Sequence, residues 1–204
     1  MATAIRSVTQ IPYVAAYYST GGFLFRAQPA DLDAAEWIWN QLDRPTPPPG
    51  FQSYKGPAAG LDRADTFVAL PVTRPRTIQE FQELATATRS IVEARMLFTY
   101  GPLQTIVARI PASSVEMLTW LVSQLEHAPP PKASLTYRLP AEDDSIDILY
   151  LPQTNGDFQA EAKRIRDVTG VRRAFTCTRD RALLLRGTSS QLAQARQMAG
   201  ELNK

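Results

Sequence analysis

Three stretches of the chain repeat one order of apolar and polar positions. In the last of them, Asp147–Leu151 is apolar and β-rich, and Pro152 ends it. After the turn Gln153–Gly156, Phe158, Ala162, Ile165 and Val168 recur at helical spacing. Asp157 is placed to cap that helix and Gly170 to close it. Val171–Cys177 alternates as a strand, with Val171, Phe175 and Cys177 on one face. A turn at Thr178–Arg181 leads into a denser run, Ala182–Gly187. Leu192, Ala195, Met198 and Leu202 then mark the stripe of a second helix. The pattern predicts β-α-β-β-α.

The same order recurs upstream. Arg6–Asp43, Arg89–Glu126 and Arg166–Asn203 align without a gap. Arg6/Arg89/Arg166, Arg26/Arg109/Arg186 and Leu42/Leu125/Leu202 are identical in all three copies. Three copies in one register make the repeat convincing. The closing helix of the middle copy carries Val115, Leu118, Leu121 and Leu125, and that of the first carries Leu32, Ala35, Ile38 and Leu42. Thr66–Pro71 matches Asp147–Pro152 at its Leu-Pro end, and the segment that follows is longer in the middle copy, as loops allow.

The predicted fold is α+β, with three tandem β-α-β-β-α modules, each a three-stranded sheet with two helices on one face. The modules fall at 1–44, 63–127 and 146–204. Pro-rich linkers at 45–62 and 128–145 hold the chain extended between them. The first module is N-terminally truncated, because Met1 aligns with Leu84 and Glu161 inside the first helices of the other copies. The favoured explanation is a true start further upstream. The alternative lets the spare β-like segment Ser134–Leu139 fill the gap. The last strand of each copy is apolar on both faces (Phe23–Phe25, Ile106–Ala108, Leu183–Leu185). Two helices cover only one face of a three-stranded sheet, so either the strand is central or a neighbour covers its second face, and packing by a neighbouring repeat or subunit is expected.

Composition limits the chemistry more than it suggests any. The 204 residues are 44% hydrophobic and 21% charged, with a net charge of +2, which suits a globular chain and is too weak to argue for nucleic acid. One Cys, Cys177, and one His, His127, leave no disulfide and no zinc site of the usual Cys/His kind. No apolar run has the length of a membrane helix, and the N-terminus lacks the apolar core of a signal peptide.

Each candidate residue has two uses. Arg26, Arg109 and Arg186 end the last strand of each module, where an Arg fork could grip an anion or brace the fold. A residue kept across diverged copies more often serves the shared fold, so bracing is expected. Arg6, Arg89 and Arg166 sit near the end of the first helix, where a cation complements the helix dipole. Trp37 and Trp120 share a column and Trp39 is extra; they could stack on bases, but packing between repeats is expected. The Tyr-rich Tyr13–Phe23 segment could join a contact surface around a Gly21-Gly22 turn. His127 stands at a linker, so no nucleophile–base set is expected. Glu142, Asp143, Asp144 and Asp147 lack the calcium-loop pattern and suit a solvated acidic linker. No cofactor, metal or small-molecule substrate is expected.

The third module resembles the small N-terminal domains of bacterial secretins, the outer-membrane ring proteins of type II and III secretion and pilus systems. The resemblance is carried by Tyr-Leu-Pro (150–152), Thr169–Phe175 and above all Leu185-Arg186-Gly187-Thr188 before an amphipathic helix. The corresponding phrases of the other copies, Ala108–Ala112 and Phe25–Pro29, depart from it. The large β-barrel part of a secretin is absent, so this chain cannot form the pore. The resemblance implies KH-like modules, located in the periplasm or cell envelope, that pack rings or bind proteins without catalysis. A protein partner or self-association is therefore expected. The alternative is single-stranded nucleic-acid binding, as in KH modules, although the Gly-X-X-Gly loop is missing. If the first Met is the true start and no export occurs, a cytoplasmic location follows instead.

Overall fold

The computed structural model describes residues 1–17, 19, 21–56, 65–74, 76–94, 96–127, 134–139, 143–151 and 157–202. The turn expected at 153–156, Pro152 and Glu142 lie outside these residues. The first module comprises α1 (Ala2–Thr9), β1 (Tyr13–Tyr17), β2 (Gly22–Arg26) and α2 (Pro29–Leu42). The second comprises β3 (Gln52–Lys55), β4 (Asp65–Pro71), α3 (Ile78–Val92), β5 (Met96–Tyr100), β6 (Thr105–Pro111) and α4 (Val115–Leu125). The third comprises β7 (Leu135–Arg138), β8 (Ser145–Tyr150), α5 (Phe158–Thr169), β9 (Arg173–Cys177), β10 (Ala182–Gly187) and α6 (Ser189–Leu202). Among the described residues the sheets are β1-β2, β3-β4-β6-β5 and β7-β8-β10-β9, every pair antiparallel.

Local chemistry repeats with the elements. Gln10, Glu93 and Gly170 end the first helix of each module in the left-handed region, with φ of 62°, 58° and 65°. Each donates its backbone N–H to the carbonyl of Arg6, Arg89 or Arg166. The last hairpin residue is left-handed too, at Gly21, Gln104 and Arg181. Gly170 and Gly21 take this conformation without Cβ strain, so packing holds the other four residues there. Asp157 caps α5 by accepting from Gln159 N at 2.9 Å. Thr77 and Glu80 form a reciprocal capping box on α3.

The sheets depart from the three-stranded expectation. Each Pro-rich linker contains a short strand, β3 or β7, hydrogen-bonded to the otherwise free edge of β4 or β8. Both are four residues long and alternate half-buried with exposed positions, too briefly for periodicity to stand out. Ser134–Leu139 therefore completes the third sheet and does not fill the first. The Leu-Pro match is also displaced by two residues. Pro71 lies opposite Thr105, and it is Tyr150 that lies opposite the equivalent Ala182. Two smaller differences follow from packing. Val168 is 54% exposed while Thr169 takes the buried position, its Oγ1 donating to Ile165 O at 2.8 Å. Val171 precedes β9 and joins the α5/α6 side of the sheet.

The modules stack rather than hang on spacers. α1 and α2 bury Ile5, Val8, Ile38 and Leu42 against Phe67 and Val107 of the second sheet. α3 and α4 lie between two sheets, touching Val68, Ile106 and Ile110 on one side and Ile146, Ile148 and Leu184 on the other. α5 and α6 cover the far face of the third sheet through Leu149, Leu183 and Leu185. The layers run β1/β2, α1/α2, second sheet, α3/α4, third sheet, α5/α6. Each sheet after the first is covered by its own helix pair and by that of the preceding module, which is why β6 and β10 are apolar on both faces.

Candidate interaction surface

The Arg26/Arg109/Arg186 column meets a different fate in each module. Arg109 Nε donates to Asp65 Oδ2 at 2.9 Å, beside the Phe67 ring. Arg186 pairs with Asp144 at 2.7 Å through Nη2 and donates from Nη1 to the carbonyl of Ile91 at 2.8 Å. It also reaches Glu93 at 3.4 Å, tying β10 to the end of α3. A recess of ≈ 350 Å³ beside Arg186 also contains Asp143, Asp144, Arg172 and Arg173. Asp143 accepts from Ser189 N at 2.9 Å, so the start of α6 already has its carboxylate. The Ser189 side chain first, and then that backbone bond, hold the Asp143 carboxyl below its ordinary range. Arg26 is exposed and lies 5.5 Å from the centre of the Tyr13 ring. Among the described residues it has no carboxylate partner.

Arg6, Arg89 and Arg166 occupy the last turn of α1, α3 and α5. Arg89 also donates to the Leu97 carbonyl, and Arg166 pairs with Asp167 at 3.2 Å. Trp37 stacks on Tyr54 at 5.9 Å, and Trp120 meets Tyr137 at 5.2 Å. Tyr54 and Tyr137 belong to β3 and β7, so each Trp packs against the edge strand of the next module. The third module has Gln197 in that column, and no sheet lies beside it among the described residues. Trp39 contacts Phe23 edge-on at 5.1 Å.

The remaining candidates are held apart. The His127 carbonyl accepts from Arg74 Nη1 at 2.9 Å. Cys177 is buried between α3/α4 and the third sheet, and that burial pushes its thiol up to about 12. Asp147 is fully buried, accepts from Thr136 Oγ1 at 2.6 Å and lies 3.4 Å from Arg196 Nε. Burial raises its carboxyl above the ordinary value despite both partners. No group of three or more metal-capable residues occurs among the described residues, and none of the described helices is long and apolar enough to cross a membrane. A recess of ≈ 420 Å³ between α3 and α5 is lined by Gln79, Gln82, Glu83, Lys163 and Arg166, among others, with no His or Cys.

Sequence reasoning missed a buried ionic cluster. Arg76, its side chain 1% exposed, lies 3.1 Å from Glu126 and 3.4 Å from Asp180. Arg74 pairs with the same Asp180 at 3.0 Å. Glu126 accepts from the backbone N of Thr73 and Arg74 at 2.7 and 2.8 Å. The cluster joins the β4–α3 loop, the end of α4 and the β9–β10 turn across the second and third modules. The only signal was the longer loop of the middle copy, which delivers both arginines.

One surface has no internal use. β1 and β2 pair only with each other among the described residues. Their outer face presents Tyr13, Tyr17 and Leu24, exposed at 62%, 56% and 65%. Leu24 corresponds to Val107 and Leu184, both buried beneath a preceding helix pair. Beside β2 lies a groove of ≈ 370 Å³ lined by Gly22, Phe23, Phe25, Leu32, Glu36 and Trp39. Its equivalent in the third module is filled by Leu149 and Leu151. An open strand edge beside an apolar groove can bind polypeptide through backbone hydrogen bonds and side-chain pockets. No protein-family model matches the chain, and no curated protein is significantly similar to it.

Proposed function

We propose that the chain is a non-enzymatic protein-interaction or assembly module of the kind its secretin-domain resemblance implies, acting at the cell envelope. The observation that carries this is the outer face of β1/β2. Tyr13, Tyr17 and Leu24 face solvent where the other two modules are covered by helices. Exposed apolar patches of this kind mark interaction sites. The polar candidates offer no rival, because Arg109 and Arg186 are bonded to Asp65 and Asp144 and the Cys177 thiol is buried.

One observation favours the nucleic-acid alternative. Exposed Tyr13 and Tyr17 beside Arg26 also have the composition of a base-stacking platform. A photo-crosslinking amino acid at Leu24 tests both. The expected outcome is discrete protein adducts in cells, absent when the same probe replaces exposed Gln194 on α6. Nuclease-sensitive adducts at position 24, or none at all, would overturn the protein-interaction reading.

A further inference from the structure

We infer that the free edge of β2 is completed by an extended acidic–apolar segment of a partner protein, which adds antiparallel to it as a third strand; this rests on the protein-interaction function proposed above. β2 is unlike the other edge strands. Its equivalents β6 and β10 are central, each flanked by two strands. β4 fills the place beside β6, and β8 fills the place beside β10. No described residue fills the place beside β2. The space itself persists as the groove between β2 and α2, with Phe23, Phe25, Leu32 and Trp39 as its apolar walls.

The chemistry of the occupant follows from the two filled copies. Phe67 lies opposite Arg109, and Ile146 opposite Arg186. Two residues ahead of each stands the carboxylate that binds the Arg, Asp65 in one and Asp144 in the other. Arg26 occupies the same column with only a tyrosine ring beside it. A strand seated on β2 would thus carry Asp or Glu two positions ahead of the residue opposite Arg26. The residues opposite Phe25 and Phe23 would drop into the groove, so both should be apolar. In the third module the first of these positions is Asp147, which meets Arg196 of α6. Glu36 stands where Arg196 does and lines the groove. An acidic residue there would be repelled by Glu36, and an apolar one accepted. A second copy of this chain fits poorly. Its own free strand, Gly22–Arg26, brings an arginine and no carboxylate to Arg26.

The probe is a labelled synthetic peptide with the sequence of residues 65–72, DTFVALPV, titrated into the intact chain by fluorescence anisotropy. Saturable one-to-one binding is expected. Reversing the charge at Arg26→Glu, or replacing the peptide's first residue by Lys, should weaken it about tenfold or more, and combining the two should restore it. A peptide of residues 144–151, DSIDILYL, should bind more weakly than DTFVALPV, and Glu36→Lys should reverse that order. Circular dichroism of each variant shows whether it is folded. A folded chain that binds neither peptide, or binds both regardless of the charge reversals, would overturn the inference. A dimer in sedimentation that Leu24→Glu abolishes would also overturn it, by giving the edge to a second copy, and so would loss of peptide binding in a chain carrying additional residues upstream of Met1, by giving the edge to the chain's own upstream strand. Crosslinks at Leu24 that persist without peptide binding would sink strand addition alone, whereas their absence would sink the protein-interaction function.

Discussion

Leu24 and Leu184 occupy the same column of the repeat and the same strand of its hairpin. One is 65% exposed and the other fully buried. Phe23 and Phe25 line an open groove, while Leu183 and Leu185 close over Leu149 and Leu151. Arg26 rests on a tyrosine ring, while Arg186 binds Asp144 and the Ile91 carbonyl. Residue type does not explain these contrasts, because the apolar pattern of the two hairpins is alike. What differs is the surroundings. β10 has a strand on each side and a helix pair on each face. β2 has one strand and one helix pair. A repeat array stabilises each unit through its neighbours, and a unit with fewer of them among the described residues shows what it lacks. At the opposite face of the stack α5 and α6 expose Lys163, Arg164, Gln194 and Gln197, where β1/β2 exposes Tyr13, Tyr17 and Leu24.

The contrast breaks most sharply at the paired leucines. Leu184→Asp should cost more than about 4 kcal/mol, because it buries an unpaired charge between two helix layers. Leu24→Asp should stay within about 0.5 kcal/mol, as an exposed substitution does. Urea denaturation of both variants checks this, and equal losses would mean that the hairpin face is covered.

The junction between the second and third modules comes next. Arg76→Ala leaves buried Asp180 and half-buried Glu126 with fewer partners and should cost about 3–5 kcal/mol. Replacing Arg76 and Asp180 together by apolar residues should cost less than the sum of the single changes, which a double-mutant cycle measures. The first junction has no equivalent ionic cluster among the described residues, so the same chemistry cannot be removed there.

Within the Arg column the effects are smaller. Arg186→Ala should cost about 1.5–3 kcal/mol, the range for hydrogen bonds to charged groups. Arg26→Ala should change stability by less than about 0.5 kcal/mol, as for an exposed site. Thermal melts of the two variants suffice, and equal shifts would remove the distinction between an occupied and an open column position.

The smallest effect is a dependence on pH. Asp147 has its carboxyl raised above the unfolded value by burial, so its charged form is disfavoured in the fold. Above the raised value the folded state bears that penalty in full. As pH falls through it towards the unfolded value of about 3.9, the folded state takes up the proton first and the penalty fades. Asp147→Asn should therefore match or exceed the parent in stability at pH 7, by about 1 kcal/mol or less since Thr136 can still donate to the amide oxygen. The advantage should shrink towards pH 4 in parallel denaturation series.

The repeat was legible because its signals are local and recur. Helical stripes, the dense last strand and the Arg and Leu columns all survive in a single gapless register. The doubly apolar strands even required a second covering layer. The left-handed positions were only half legible, since Gly170 and Gly21 announce them while Gln10, Glu93, Gln104 and Arg181 do not. Of the fourth strands, β7 was legible as the β-like segment Ser134–Leu139 but without its place in a sheet, and β3 was hidden inside its Pro-rich segment, where four residues alternate too briefly to show a period. The Arg76 cluster was invisible because its partners stand 50 and 104 residues away. The groove beside β2 was equally hidden, since it is defined by an absent neighbour rather than by a motif.

The sequence by itself therefore determined the mixed α+β class and the places of the six helices, because these follow from near-neighbour periodicity and capping. The tertiary structure decided which faces each sheet shares, which linker strand closes which edge, and which arginine finds a carboxylate. Those outcomes depend on contacts between distant segments, and identical columns settle differently according to what lies beside them. Arg26, Arg109 and Arg186 are the same residue in the sequence. The strand beside Arg109 and the segment leading into the strand beside Arg186 supply the aspartate that makes those two part of the scaffold, and no described residue does the same for Arg26.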